Sequence, residues 1–356
     1  MTSLSINLSF LIPKPTGITT YANQIVPYLT PLEPTLLIGR ELAPYNCYLV
    51  PEDLTPDYGK KGHLKRLWWT QQNLPKIYKT LRSQLLFSPV PEAPLFSACR
   101  SVVMVHDFIP LRFPNPRSPL TYYHRYYIPL VLQQATHIVC NSLSTARDIS
   151  NFCKISADKI TPIPLGYDVD NFKCLNLPVS NYFLYVGRCD PYKNLHRLIA
   201  AFANLAQGSE YELWIAGSSD PRYSPALKEQ VKELGLGERV KFLEYVPYEK
   251  LPVLMNQAIA LVFPSLWEGF GLPALEAMAC GTPVITSNRS SLPEVTGDAG
   301  ILVDPYNIRE ISSAMLAVAL GATTRSRLRE LGLARASQFS WSKTGISTGE
   351  ILKDYL

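Results

Sequence analysis

Residues 263–283 read Phe-Pro-Ser-Leu-Trp-Glu-Gly-Phe-Gly-Leu-Pro-Ala-Leu-Glu-Ala-Met-Ala-Cys-Gly-Thr-Pro, and this stretch decides how the chain folds. The apolar run Ile259 to Phe263 leading into it has the continuity of a strand buried on both faces. Gly269 and Gly271 permit a tight turn and a close approach of backbone to a ligand, and Pro273 suits the first position of a helix running through Ala279. Strand, glycine-rich turn and helix form the repeating unit of an open α/β sheet, which binds ligands beyond the carboxyl ends of its strands. Two carboxylates flank the turn. Free N–H groups and the positive dipole end of the helix favour phosphate oxygens, while Glu276, one turn in, can accept hydrogen bonds from a vicinal diol such as a ribose. Glu268, before the turn, can accept from hydroxyls on the far side of the phosphates, where a hexose would lie. A solvated loop with an ordinary amphipathic helix is the plainer reading, and the buried strand ahead of it argues against that.

A second set of charges follows another predicted strand. In Val186-Gly187-Arg188-Cys189-Asp190-Pro191-Tyr192-Lys193-Asn194-Leu195, Arg188 and Lys193 emerge at the carboxyl edge of a sheet just before a helix. Alone they are as readily surface charges; combined with Glu268 and Glu276 they make an anion clamp for a diphosphate. Near the start, Pro15-Thr16-Gly17-Ile18-Thr19-Thr20-Tyr21 links a strand to a helix, and backbone N–H groups at Gly17 can face phosphate. A simple strand-to-helix turn is the alternative. His106 ends the strand-like run from Val102 and precedes Asp107-Phe108-Ile109-Pro110-Leu111, which puts its ring at a sheet rim. A histidine there is more often structural than catalytic.

The segment from Glu268 to Glu276, continuing through Cys280-Gly281-Thr282-Pro283-Val284-Ile285, Leu292-Pro293-Glu294-Val295 and Gly297-Asp298-Ala299-Gly300, resembles the retaining GT-B-fold glycosyltransferases of family 4. Their hallmark is two glutamates separated by seven residues. The resemblance covers most of the C-terminal half and patches of the N-terminal half. It implies an α/β protein of two Rossmann-like domains facing an interdomain cleft, with donor held mainly by the C-terminal domain. It also implies roles: Arg188 and Lys193 on the donor diphosphate, Glu268 on the sugar hydroxyls, Glu276 on the ribose, and backbone around Phe270, Gly271 and Leu272 on sugar and phosphate. Gly17 resembles the family's N-terminal glycine loop. His106 resembles a histidine near the donor sugar in a subset of the family, and a hydrogen bond that orients sugar or acceptor is its expected part.

Composition agrees with this size of fold. A chain of 356 residues with 47% apolar content exceeds one comfortable core, so two domains are expected. The boundaries are placed at 1–176 on the acceptor side, 177–343 on the donor side, and 344–356 as a helix crossing back to the first domain. Seven scattered cysteines without a C-x-x-C pair fit neither a disulfide framework nor a zinc site. The first dozen residues lack a signal-peptide pattern, and no apolar stretch of membrane-spanning length occurs. A cytoplasmic enzyme is expected, with peripheral contact at the inner membrane face as an option. Basic residues outnumber acidic ones 17 to 11 through residue 176, and the counts are 17 and 18 afterwards. That bias suits an acidic lipid surface or a pyrophosphate-bearing acceptor, and equally an uneven solvated surface. Nucleic acid is not called for.

Periodicity predicts strands at Leu4–Phe10, Ser101–His106, Ile138–Asn141, Tyr182–Gly187, Tyr211–Ala216 and Val240–Leu243. Helices are predicted at Tyr21–Leu29, Tyr122–Ala135, Leu195–Leu205, Pro225–Leu234 and Leu251–Gln257. Lys60 to Trp69, both basic and aromatic, reads better as a packed helix with its tryptophans in the core than as a membrane contact. Asp168-Val169-Asp170 imitates a metal-binding D-x-D pair but reads as a solvated turn, and no metal or cofactor is expected. The missing G-x-G-x-x-G and P-loop patterns disfavour a dehydrogenase or NTPase.

The expected activity is transfer of a hexose, glucose from UDP-glucose first and mannose from GDP-mannose second, to a saccharide or lipid-linked saccharide hydroxyl in polysaccharide or oligosaccharide synthesis. A GT-B nucleotide-sugar epimerase or a non-catalytic nucleotide-sugar binder is the alternative.

Overall fold

The structure is a computed structural model that describes residues 3–13, 16–206 and 209–356; Pro15 of the first loop lies outside the described residues. The chain divides into two compact units, one made of residues 1–166 and 341–356, the other of residues 167–340.

In the first unit seven parallel strands form one sheet: β1 (Leu4–Asn7), β2 (Thr35–Ile38), β3 (Asn46–Leu49), β4 (Leu85–Ser88), β5 (Ser101–Val105), β6 (His137–Cys140) and β7 (Ile160–Pro162), in the order β3-β2-β1-β4-β5-β6-β7. Helices cover both faces, so every residue of β1, β2, β4, β5 and β6 is buried. Each fully buried Leu, Ile or Val contributes ~1.5–3 kcal/mol relative to exposure, and the polar Ser5, Asn7, Ser88 and His137 are enclosed with them. β1 stops at Asn7, short of the predicted Phe10, because the Asn7 side-chain oxygen accepts from Ser9 N at 3.3 Å and Ser9 Oγ at 2.8 Å and turns the chain. The helix Gly17–Leu29 starts earlier than predicted. Thr16 caps it, with reciprocal hydrogen bonds to Thr19 forming a capping box.

The helix Trp341–Tyr355 belongs to this unit. It lies so close to Gly17–Leu29 that a Cβ on Gly345 would sit 2.6 Å from Tyr28 Cβ, and Thr344 Oγ1 donates to Pro164 O at 2.7 Å. The segment 60–69 departs from expectation in part. It lies in the helix Gly59–Gln72, whose Trp69 is buried while Trp68 is 63% exposed. A charged residue occupies the inner face instead: buried Arg66 donates to both oxygens of buried Glu92, at 2.7 and 2.9 Å.

The second unit repeats the plan with six parallel strands: β8 (Tyr182–Val186), β9 (Glu212–Ala216), β10 (Val240–Glu244), β11 (Ala260–Phe263), β12 (Val284–Ser287) and β13 (Gly300–Val303), ordered β10-β9-β8-β11-β12-β13. The change of unit falls at Gly166/Tyr167 rather than at 176/177. Asn256 explains this: its side chain accepts from Leu175 N at 2.6 Å and donates to Lys173 O at 3.0 Å, which ties the connecting segment to the second unit.

Candidate active site

Strand order in the second unit reverses between β8 and β11. The loops leaving these neighbours diverge to opposite faces of the sheet, opening the crevice in which α/β sheets hold ligands. Lys193 follows β8, Glu268 follows β11, and they meet there: Lys193 Nζ lies 2.6 Å from Glu268 Oε1, with the two side chains only 13% and 9% exposed. The ammonium also lies 5.2 Å from the Phe263 ring centroid and 5.3 Å from that of Tyr192. Deleting one member of so buried a pair strands the other charge, at a cost of ~3–5 kcal/mol.

Asn194 braces the cation. It is fully buried, adopts the left-handed conformation at φ 65°, and donates to Pro264 O at 3.0 Å and to Pro305 O at 2.7 Å. Leu266 N donates to Tyr192 O at 2.7 Å and closes the same junction.

The glycine-rich turn is built as its sequence implies, with Pro273 at the second rather than first position of the helix Leu272–Ala279. Gly271, the residue before that helix, has φ 109°, and a Cβ on it would come within 2.7 Å of Leu292 Cδ2. Ser291 Oγ is 3.0 Å from Glu268 O and 2.7 Å from Phe270 O, and Glu268 N donates to Ser290 Oγ at 3.0 Å. The turn is thus held from behind. Phe270 buries its ring edge-on against Phe339. The N–H groups of Phe270, Gly271 and Leu272 donate to no described residue.

Glu276, half-buried on the same helix, accepts no side-chain hydrogen bond from a described residue. Burial, with Asp168 nearby as a second negative charge, pushes its carboxyl up to about 8. Asp168 is therefore more than the solvated turn expected. Its Oδ1 does accept from Asp170 N and Asn171 N, both at 3.1 Å, but its carboxylate also faces Glu276, and Tyr248 Oη approaches Oδ2 at 3.5 Å.

Arg188 is 70% exposed and pairs with Asp190 of its own loop at 2.8 Å. The loops after β8 and β9 touch backbone to backbone, since a Cβ on Gly217 would fall 1.8 Å from Gly187 O. Asp220 and Arg222 follow β9 and lie in the electrostatic field of Arg188 and Asp190.

Gly17 and His106 belong to the first unit. Gly17 begins its helix with open space around its Cα. His106 directly follows β5, with Nε2 2.9 Å from Pro89 O and its ring edge-on to Tyr21 at 5.1 Å. A carbonyl only accepts, so Nε2 carries the proton; burial holds the ring neutral, leaving Nδ1 as an acceptor.

Sequence reading missed Asn194, Gly217, Ser290, Ser291, Tyr248 and the position of Asp168. Only Gly217 carried a signal, a glycine directly after a strand.

The displaced Glu276 carboxyl makes a prediction. Its ordinary value is 4.5, so between about pH 4.5 and 8 the folded chain binds the extra proton, and stability present below that window is lost as pH rises through it. Calorimetry should show the melting temperature of Glu276→Gln falling less than that of the unaltered protein between about pH 5 and 8.5. Parallel decline would show Glu276 ionised throughout.

The family described as "Glycosyl transferases group 1" matches residues 171–334, and that described as "Glycosyltransferase Family 4" matches 16–171. The O-antigen chain mannosyltransferase B of Escherichia coli is 33% identical over 70% of this chain and 69% of its own. Across the mannosyltransferases matched at 31–33% identity, the aligned part spans 54–69% of their lengths. Sucrose-phosphate synthase from Thermosynechococcus elongatus superposes with a TM-score of 0.80 at 20% identity, covering 99% of this chain and 98% of that one. HepE from Anabaena, in complex with UDP and glucose, superposes at 0.76 and 20% identity over 99% and 100% of the two chains. Two Rossmann-like units, a double-glutamate turn and these matches make one conclusion: the chain belongs to the GT-B-fold glycosyltransferases of family 4.

Proposed function

We propose that this glycosyltransferase moves a hexose from a nucleoside diphosphate sugar to a saccharide hydroxyl during polysaccharide or oligosaccharide assembly, with retention at the anomeric carbon. The observation that carries the reading is the Lys193–Glu268 pair at the switch point of the second sheet, beside the N–H groups of residues 270–272. A diphosphate has there a cation and a positive helix end, and the Glu268 carboxyl oxygens can accept from sugar hydroxyls. Glu276 takes the ribose; a diol donating into its carboxyl favours the ionised form, so nucleotide binding releases a proton. Arg188 supplies the mobile second cation against charge developing on the departing phosphate. Front-face attack, in which the leaving phosphate oxygen takes the acceptor's proton, needs no enzyme nucleophile. A neutral His106 with Nδ1 accepting suits an orienting role.

Mannose, from GDP-mannose, ranks ahead of glucose from UDP-glucose. A mannosyltransferase relative at 33% identity outweighs a UDP- and glucose-bound structure at 20%, which supports the fold alone. Thermal-shift measurements with GDP, UDP and their hexose conjugates decide it: at about 100 times the dissociation constant the true donor adds ~2.7 kcal/mol of stability. Arg188→Ala and Glu276→Ala should each lower transfer ~100-fold or more; transfer at the unaltered rate would remove these roles. Incubation with donor alone separates an epimerase, which converts the sugar without acceptor, from a transferase.

We also propose peripheral contact with an anionic membrane on the cytoplasmic side. Lys60, Lys61, Leu64, Lys65 and Trp68 line the exposed side of the helix Gly59–Gln72, with Leu64 65% exposed. No helix among the described residues is long and apolar enough to cross a membrane. Sedimentation with phosphatidylglycerol liposomes should pull the protein down at low salt and release it at high salt, and Trp68→Ala with Lys61→Ala should weaken this. Equal sedimentation with neutral liposomes would remove the idea.

A further inference from the structure

The backbone of His106 is held by side chains from the neighbouring strand end. β5 and β6 pair with Val105 beside Cys140, so the next residues along the two strands are His106 and Asn141. The strand pairing stops there and a side chain continues it: Asn141 Nδ2 donates to His106 O at 2.9 Å.

Asn141 is itself oriented. A carbonyl only accepts, so the amide nitrogen faces His106 and the amide oxygen is left to Thr145, whose Oγ1 donates to it at 3.0 Å. Thr145 Oγ1 accepts in turn from Ser142 Oγ at 3.0 Å. Donation therefore runs one way, from the Ser142 hydroxyl to the Thr145 hydroxyl, the Asn141 amide and the His106 carbonyl, and each bond polarises the next. Asn141 is 3% exposed and Ser142 and Thr145 2% each, a depth at which a polar side chain is costly unless bonded. Capping accounts for only part of this. Ser142 caps the helix Leu143–Cys153 by accepting from Thr145 N at 3.0 Å, and that bond needs neither Asn141 nor the Thr145 hydroxyl. Those two groups converge on the carbonyl of one residue.

The ring of the same residue is tied to the opposite side. Nε2 donates to Pro89 O, just after β4, and β4 and β6 flank β5. His106 thus spans both neighbours, its backbone fixed from β6 and its imidazole from β4. Nδ1 contacts no described residue and is left to accept from a ligand.

We infer that Asn141 and Thr145 are positioning residues for His106, fixing the backbone that carries its ring so that Nδ1 meets a hydroxyl of the sugar substrate in one direction. The inference rests on the glycosyl-transfer reading above and on the orienting role given there to His106.

Histidine-selective ¹⁵N NMR on the full chain tests it, since the sequence holds five histidines and His106→Gln identifies one signal. The unaltered protein should show His106 as the Nε2–H form alone. Asn141→Ala and Thr145→Val should each move that signal toward the average of the two neutral forms. Each should also slow release of nucleoside diphosphate from GDP-mannose or UDP-glucose ~10- to 100-fold, as misplacement of an orienting group does. Thr145→Val, which keeps the side chain's shape, serves if Asn141→Ala does not fold. The thermal shift by the nucleoside diphosphate should persist in both variants, because the residues assigned to it lie in the second unit. Adding either substitution to His106→Ala should cost no further rate, the mark of groups that act through one another. A His106 signal that stays in place, or rate losses that add in the combined variant, would make the network purely structural and overturn the inference. Failure of the glycosyl-transfer reading looks different: the unaltered protein would show no thermal shift with any nucleoside diphosphate or hexose conjugate. A His106 signal that still moved in the variants would then leave the ring held for another ligand and overturn its assignment to a sugar hydroxyl.

Discussion

The ion pair between Lys193 and Glu268 is the constraint on which the rest of the candidate site depends. Its members come from loops 75 residues apart, and only the adjacency of β8 and β11 in the sheet joins them. Neither charge is well placed without the other: in so little water an isolated ammonium or carboxylate would be neutralised or expelled. The scaffold is correspondingly rigid. Asn194 fixes the lysine loop through two carbonyls, Ser290 and Ser291 fix the glutamate loop, and Gly271 and Gly217 sit where any side chain would collide. The geometry of the pair is thus set by the fold itself.

Around that fixed pair the remaining charges are graded in freedom. Arg188 is largely in solvent, held by one ion pair in its own loop, and can exchange Asp190 for a phosphate at little cost. Glu276 lies at the other extreme, a carboxyl held in its protonated range by burial and by Asp168. Fixed, exposed and proton-linked groups thus lie on one sheet edge.

How far this could be read from sequence followed the range of the interactions involved. The segment 263–283 was legible because strand, turn and helix are consecutive and each glycine and proline has a local reason. The meeting of Lys193 with Glu268 was not, since strand order is set by packing across the sheet rather than by neighbours in the chain. Asp168 was read correctly as a turn residue through Oδ1 and missed through the face it turns to Glu276. In the first unit β2, β3, β4 and β7 carry no strand expectation, because at three or four residues each is too short to show a period of its own. The helix Gly59–Gln72 was hard to orient because its inner face is made by Gly62, Arg66, Trp69 and Thr70, a set with little apolar periodicity.

A crystal structure of the protein with an intact nucleoside diphosphate mannose or glucose tests the central claim most directly. Diphosphate oxygens are expected at Lys193 Nζ and at the N–H groups of Gly271 and Leu272, with a sugar hydroxyl on Glu268 and both ribose hydroxyls on Glu276. A donor bound with the Lys193–Glu268 pair untouched and its diphosphate elsewhere would contradict it.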